Sequence, residues 1–555
     1  MKLTPFAKIF ITLIVLGVIG YATWHSFGPQ IRCFASPDQC TDTAGKGSGA
    51  GGDKPAVANT GVEKGDFDEL GQAPKDPGRE GVTGVTSAPV TGGKLTRPLK
   101  VGINTWAGHA PGIVANLGLA PGNASAIYKA QHGIDVEFVL LEDPAAKFAA
   151  FKAGQIDVMW DTVDSWAREA SLLAETPNLR GRAILMQDWS RGGDGVVSLS
   201  SIKSVEDLAG KRIATTEFTP SHWLLLYLLS QSGLTTEQRN ALEKSIVITQ
   251  DAPAAAAMFK SGKVDAAVTW EPDLSAAVAA RGDEAHILVS TGAATNVIAD
   301  VLVARQDIID TAPETLAAFV GGWFDGIEYM RKDPAGSNKV IGEALKLDDE
   351  TVSGMLSGLK LTPFADNAQF FGLTGTKGHY VTLFDTAFRI WRKKGVVTRA
   401  VGGADTFEAK FVATHATRFP GQKVVEAPVE KRAPSDKDTP ILNKTLSINF
   451  TPASDEIMPG SFFTLDSLGE TMISFGNTYL RVEGNTDATG KRTANVTLSE
   501  KRAEAVKNYL MKQFNLPEAR FQTIGHGPDK PVADNTTEAG RQLNRRTDIK
   551  VVLAQ

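Results

Sequence analysis

Cysteine is almost missing from this chain: Cys33 and Cys40 are the only two in 555 residues. A closed zinc site wants four ligands, and two cysteines with only His25 nearby do not supply them. A small disulfide loop, or a cross-link between two chains in an oxidising compartment, is what remains for the pair. An excess of basic charge is missing too. The 58 Lys and Arg against 63 Asp and Glu leave a net charge of -5, which gives no electrostatic footing for nucleic acid. No Ser-His-Asp order, metal-ligand spacing or phosphate-cradling loop occurs, so neither catalysis nor a cofactor is expected.

What is present starts with an apolar run from Ile9 to about Trp24, preceded by Lys2 and Lys8. Such a run covers about 25 Å as a helix, slightly short of a hydrocarbon core of about 30 Å. No small-x-small cleavage site follows it, so residues 1–27 are expected to be an uncleaved anchor. Lys2 and Lys8 put its start on the cytoplasmic side. Residues 28–96 are poor in large apolar side chains and read as a flexible linker. About 55 residues of such coil reach about 40 Å on average. A second linker, 421–440, carries Pro428 and Pro434 among Lys and Glu. Between the two lies 97–420, and after them 441–555.

The central stretch alternates strands and helices. Pro98–Asn104, Ile134–Leu141, Arg212–Thr215 and Ser245–Thr249 read as buried strands with helices between, the pattern of parallel sheets flanked by helices. Phe151-Lys-Ala-Gly-Gln-Ile-Asp-Val158 recurs as Phe259-Lys-Ser-Gly-Lys-Val-Asp-Ala266. Each copy ends an Ala-rich helix, turns on a Gly and enters a strand, which suggests two similar lobes. Ligands of open α/β sheets collect at strand C-termini and helix N-termini. The candidates there are Trp106 after the first strand, Asp161 and Thr162 after the first repeat, Trp270 and Glu271 after the second, and Ser221 and His222 where Thr219-Pro220 opens a helix. Each has a plainer use: the tryptophans as core, His222 as an orienting or packing residue, Asp161 and Glu271 as caps. Acids and indoles around a helix N-terminus suit a zwitterion or an amine-bearing acid, with the indole faces on a cation and the helix on a sulfonate, phosphonate or carboxylate.

The Gly-Ile-Asn-x-Trp opening at 102–106, Ser204–Lys211, Pro220-Ser-His222 and Thr269-Trp-Glu-Pro272 together resemble periplasmic solute-binding proteins of the nitrate/sulfonate/taurine class, which includes thiamine-precursor binders. The resemblance implies a type II-like two-lobed α/β fold with the solute between lobes, and lobe crossings near Val196–Leu199 and Ala299–Ala304. Pyrimidine synthases of the same superfamily carry a cysteine-rich iron motif, and this stretch has no cysteine.

In the last domain, Thr445–Phe450 and Tyr479–Glu483 read as strands and Gly460 to about Phe475 as a helix. Thr497-x-x-Glu500 reads as a capping box, and Phe521–Ile524 and Thr547–Leu553 as closing strands. The string Val482-Glu-Gly-Asn-Thr-Asp-Ala-Thr-Gly490, with Asn495, Arg502 and Asn544-Arg-Arg546, resembles the peptidoglycan-binding domain of the OmpA C-terminal family, an α+β fold. By that resemblance Asp487 and Arg502 are the main binding residues for the diaminopimelate of a stem peptide, with Asn495 and Arg546 shaping the pocket. An Asp accepts from an ammonium and an Arg fork grips a carboxylate. Asn485 stands where the family commonly has His.

The whole is expected to be a single-pass inner-membrane protein with its bulk in the periplasm. It would bind a small zwitterionic or anionic solute for an ABC permease or another envelope protein, and peptidoglycan at its far end. The alternative is a structural linker from membrane to wall whose binding lobe is vestigial.

Overall fold

The computed structural model describes residues 89–176, 179–375, 378–397, 399–424, 438–446, 448–451 and 453–553. The expected anchor, Cys33, Cys40, most of the first linker and the middle of the second lie outside them. No helix among the described residues is long and apolar enough to cross a membrane.

Four strands, β1 (Leu99–Ile103), β2 (Val136–Leu140), β3 (Val158–Thr162) and β4 (Gly181–Ser190), begin the first lobe. The chain then enters a second lobe with β5 (Asp194–Leu199), β6 (Ile213–Thr216), β7 (Ile246–Thr249), β8 (Ala266–Trp270) and β9 (Ala285–Ser290). It returns to the first with β10 (Ala299–Arg305) and β11 (Leu359–Leu361). The sheet orders are β11-β4-β10-β3-β1-β2 and β9-β5-β8-β6-β7. Helices used below are α1 (Pro144–Lys152), α2 (Val163–Leu173), α3 (Pro220–Gln231), α4 (Ala252–Lys260), α5 (His379–Lys393), α6 (Phe462–Ser474) and α7 (Arg492–Phe514).

The repeated octapeptide is the pivot of both lobes. It closes α1 and α4, turns on Gly154 (φ +71°) and Gly262 (φ +72°), and feeds β3 and β8. Aspartates Asp143 and Asp251 cap the two helices alike, each accepting from an amide three residues on at 2.8 Å. β3 pairs parallel with β1, and β8 with β6. The sheets are mixed rather than parallel, because the strands next to the crossings, β4, β5 and β10, run antiparallel to their neighbours. The crossings themselves fall at Arg191–Gly193 and Thr291–Ile298, just ahead of the expected segments, which are the strands β5 and β10 they lead into.

Helix α3 reads Pro-Ser-His-Trp-Leu-Leu-Leu-Tyr-Leu-Leu-Ser-Gln, and every residue from Ser221 to Leu229 is buried. A helix apolar all round must be covered all round. The second-lobe sheet covers one side. On another, His222 meets Trp391 of α5 edge-on, with ring centroids 5.5 Å apart. The C-terminal domain covers a third, where Tyr227 stacks on Phe475 at 6.2 Å and Gln231 accepts from Thr471 at 2.7 Å.

That domain has strands β12 (Pro440–Leu446), β13 (Thr478–Asn485), β14 (Phe521–Gly527) and β15 (Thr547–Leu553) in the order β12-β15-β13-β14. β13 and β14 are parallel, joined through α7. Its first strand lies earlier than the expected 445–450. The expected capping box is also displaced. Gly490, at φ +95°, ends the preceding loop and Lys491 is the N-cap, so Thr497 lies inside α7; no Gly or Pro separates 491 from 497 to delay the start.

Trp223 is fully buried in α3 and donates its indole N–H to the Val297 carbonyl at 3.1 Å. Trp223→Ala is expected to cost about 3–5 kcal/mol, measured by urea unfolding.

Candidate functional site

Between the lobes the strands bring carboxylates together. In register across the first-lobe sheet stand Asp188 on β4, Asp300 on β10 and Thr162 on β3. Asp164 follows in the first turn of α2, and Asp194 opens β5 opposite Trp270. All four aspartates are buried, and no Lys or Arg side chain forms an ion pair with any of them among the described residues. Burial lifts Asp188 and Asp164 to about 7 and Asp194 to about 6. The neighbouring Asp300 and Trp106 restrain the rise at Asp188, and a hydrogen bond from Ser190 does so at Asp194. Asp300 is raised well above the usual carboxylate range, by burial and then by the charges of Asp188, Asp194 and Asp164.

The residues expected from sequence divide into two sets. Trp106 is half-buried beside Asp188: a Cβ placed on Gly108 would touch both its indole and the Asp188 carboxylate. Thr162 lies in the carboxylate row, its hydroxyl bonded to Ser165 at 3.1 Å. Ser221, in the first turn of α3, is buried with a hydroxyl that makes no hydrogen bond. Trp270 ends β8 opposite Asp194. Trp106, Thr162 and Trp270 thus adjoin the acids, and Ser221 stands apart from them at the start of α3.

The other three are otherwise engaged. Asp161 faces Lys147 of α1 at 3.3 Å and accepts the Thr162 amide; Lys147 also reaches Glu169 at 3.8 Å. A fully buried lysine needs those carboxylates, so Asp161 belongs to the first lobe's core. Glu271 caps the helix after it, accepting from the Ser275 amide and hydroxyl. His222 takes the Phe218 amide at 3.3 Å, and burial lowers it to about 4, so it is a neutral packing residue at neutral pH. Asp164, Asp188, Asp194 and Asp300 were not singled out from sequence. The signal was there in acids set inside apolar strands, as in Ile184-Leu-Met-Gln-Asp-Trp189.

The C-terminal candidates cluster at the end of β13. Burial raises the Asp487 carboxyl, but bonds from Arg545 (2.7 Å) and the Thr489 amide (2.9 Å) outweigh that and hold it below its usual range. Arg502 is half-buried, lies over the Phe450 ring at 4.8 Å and donates to the Ser454 carbonyl at 3.0 Å. Burial lowers its pKa, against the pull of Asp455 and Asp487. Asn495 ties the loop to α7 through the carbonyls of Asp487 and Thr489. Arg546 forks onto Asp548, which also accepts from Asn485 at 3.1 Å. Asp487 and Arg502 thus share one neighbourhood, but the ion-pair partner of Asp487 is Arg545. Among the described residues no group of three His, Cys, Asp or Glu is placed to hold a metal ion.

Residues 449–545 match the OmpA family model, and residues 128–337 the NMT1/THI5-like model. Outer membrane protein A of Bordetella avium is 33% identical over 142 residues, 25% of this chain and 71% of that one. The chain belongs to the OmpA family. Ahead of its OmpA domain, residues 128–337 are similar to the NMT1/THI5-like family. The peptidoglycan-associated lipoprotein of Pseudomonas putida is 34% identical over 97 residues, 18% of this chain and 57% of that one. The chain spans about a third of the length of the first curated relatives it matches. Among solved structures, the periplasmic aliphatic sulphonate binding protein SsuA from Escherichia coli is similar at 17% identity and a TM-score of 0.43, over 56% of this chain and 97% of that one.

The buried acids set a pH dependence. Unfolded, they ionise near 3.8; folded, they keep protons up to about 6–7. Between those limits the fold binds more protons, so their contribution is complete below pH 4 and lost as pH rises through 6 to 7. The solute-free protein is expected to melt at a lower temperature at pH 8 than at pH 5, and Asp300→Asn is expected to reduce that difference, measured by scanning calorimetry.

Proposed function

We propose that this protein is a cell-envelope solute receptor held to peptidoglycan: the two lobes bind a small solute bearing an ammonium group, and the C-terminal domain binds the stem peptide of the wall. The observation that carries the first half is the row of buried carboxylates, Asp188 and Asp300 with Asp164 and Asp194 around it, which no basic side chain neutralises. A cationic group placed there takes over from the stored protons. Trp106 adjoins the row, and a desolvated cation on an indole face gains about 1–2 kcal/mol. The unpartnered Ser221 hydroxyl in the first turn of α3 suits a sulfonate or carboxylate. A zwitterion such as an amino sulfonate satisfies both; a purely anionic solute leaves the acids unanswered.

The second half rests on the OmpA match and on the loop that presents Asp487 near Arg502. Asp487 supplies an anion to the stem peptide's ammonium, and Arg502 a planar fork to its carboxylate. An N-terminal anchor in the inner membrane, and delivery of solute to an ABC permease or a signal to another envelope protein, complete this reading.

A thermal-shift screen of amino sulfonates, betaines, amino acids and thiamine precursors tests the receptor. A solute at 100 times its Kd is expected to add about 2.7 kcal/mol. A flat screen leaves the chain as a linker from membrane to wall. For the wall, Asp487→Ala and Arg502→Ala are each expected to abolish co-sedimentation with purified sacculi; retained binding refutes those two roles.

A further inference from the structure

The hinge between the lobes is stitched at one point. The Thr291 hydroxyl, in the second crossing, meets the Ser190 hydroxyl at 2.9 Å and accepts the Gly192 amide of the first crossing at 2.8 Å. The Thr291 amide donates to the Asp194 carbonyl at 2.8 Å. Parting the lobes must rotate the backbone here, because hinge motions are absorbed by the few residues that join two rigid bodies.

The C-terminal domain sits on this same segment. The turn between α6 and β13 bonds to it four times. Asn296 donates its amide to the Ser474 carbonyl at 3.0 Å and its side chain to the Ile473 carbonyl at 2.8 Å. Asn477 donates its amide to the Ala293 carbonyl at 3.4 Å and its side chain to the Gly292 carbonyl at 3.3 Å. Between these bonds the fit is tight, since a Cβ on Gly476 would lie 2.3 Å from the Thr295 hydroxyl oxygen. Asn296 also accepts from Arg191 in the first crossing, at 2.9 Å.

The domain is fastened to the second lobe independently. Val205 donates its amide to the Ile441 carbonyl at 3.0 Å, and Glu206 accepts the Asn443 amide at 3.0 Å. With Tyr227 on Phe475 and Gln231 on Thr471, these contacts fix it to the body from which the hinge must swing.

We propose that the wall-binding domain is an intramolecular brace on this hinge. By gripping Gly292–Asn296 while seated on the second lobe, it holds the crossing in the conformation of the apposed lobes, so releasing the grip lets the lobes part more readily. Solute affinity and the seating of the wall domain are then linked, and each affects the other by the same factor. β13 runs directly from Asn477 to the loop of Asp487, about 26 Å for its eight residues, so a load on the wall loop reaches the brace through one interior strand. The inference rests on reading the two lobes as a hinged solute clamp.

Hydrogen–deuterium exchange of the full chain without solute tests it, and so reads the brace whether or not any solute is ever found. Two variants are used: Gly476→Ala, which wedges the turn from Thr295, and Asn477→Ala, an exposed side chain whose loss threatens no core. The amides of Gly192 and Thr291 are expected to exchange at least about fivefold faster in both, within the range of ordinary coupling between sites, while β1 and β10 keep their protection. Faster exchange at Asn296 and Asn477 with the hinge amides at the parent rate overturns the proposal, and so does an Asn477→Ala variant that exchanges like the parent throughout.

Discussion

The burial of α3 is the constraint on which the arrangement depends. Nine consecutive residues, Ser221 to Leu229, are removed from water, and a single sheet covers only one side of a helix. At about 25 cal/mol per Å2 of apolar surface, leaving Tyr227 and the leucines of one side exposed would forfeit several kcal/mol. The first lobe supplies Trp391, and the C-terminal domain supplies Phe475 and Thr471. The last domain is therefore a packed neighbour of the second lobe, although a Pro- and Lys-containing segment precedes it in sequence.

The two buried charge groups of the first lobe show what separates support from function. Asp161 and Thr162 are adjacent on β3, so their side chains leave opposite faces of the sheet. Asp161 meets a buried lysine and is spoken for. Thr162 lies in a row with Asp300 and Asp188, with which no lysine forms an ion pair among the described residues and where burial raises the carboxyls above their usual range. A fold gains nothing in stability from such a row, since apolar residues of similar volume would avoid the cost of desolvating carboxyls. Its cost therefore falls at the meeting of the two lobes rather than in the core of either.

Much of this was legible in the sequence. The octapeptide echo marked equivalent turns and strands in both lobes, because a Gly at φ near +70° after an Ala-rich helix leaves few alternatives. Thr219-Pro220 marked the start of α3, but not that the helix is covered on every side or by what. The carboxylate row was not legible. Asp188 and Asp300 are brought together by antiparallel register, and register between distant strands is set by packing that no local pattern records. For the same reason the sequence singled out Arg502 but not Arg545, which the return of the chain at β15 delivers to Asp487. Thr497 misled because a capping signature has meaning only where a helix begins, and Gly490 had already fixed that point.

The two crossings bring these features together. The first lies between Asp188 and Asp194 of the acid group; it follows Ser190 and holds Gly192, both of the hinge stitch. The second leads from Thr291 of the stitch through Asn296 of the brace to Asp300 of the acid group. The acid row and the seat of the C-terminal domain thus adjoin the same two short backbone segments. Had the wall domain been a mere tether, any exposed face of either lobe would have served as its seat. Its seat is the one surface that combines the uncovered side of α3 with the segment through which the lobes must turn, and apolar burial alone accounts for only the first of these.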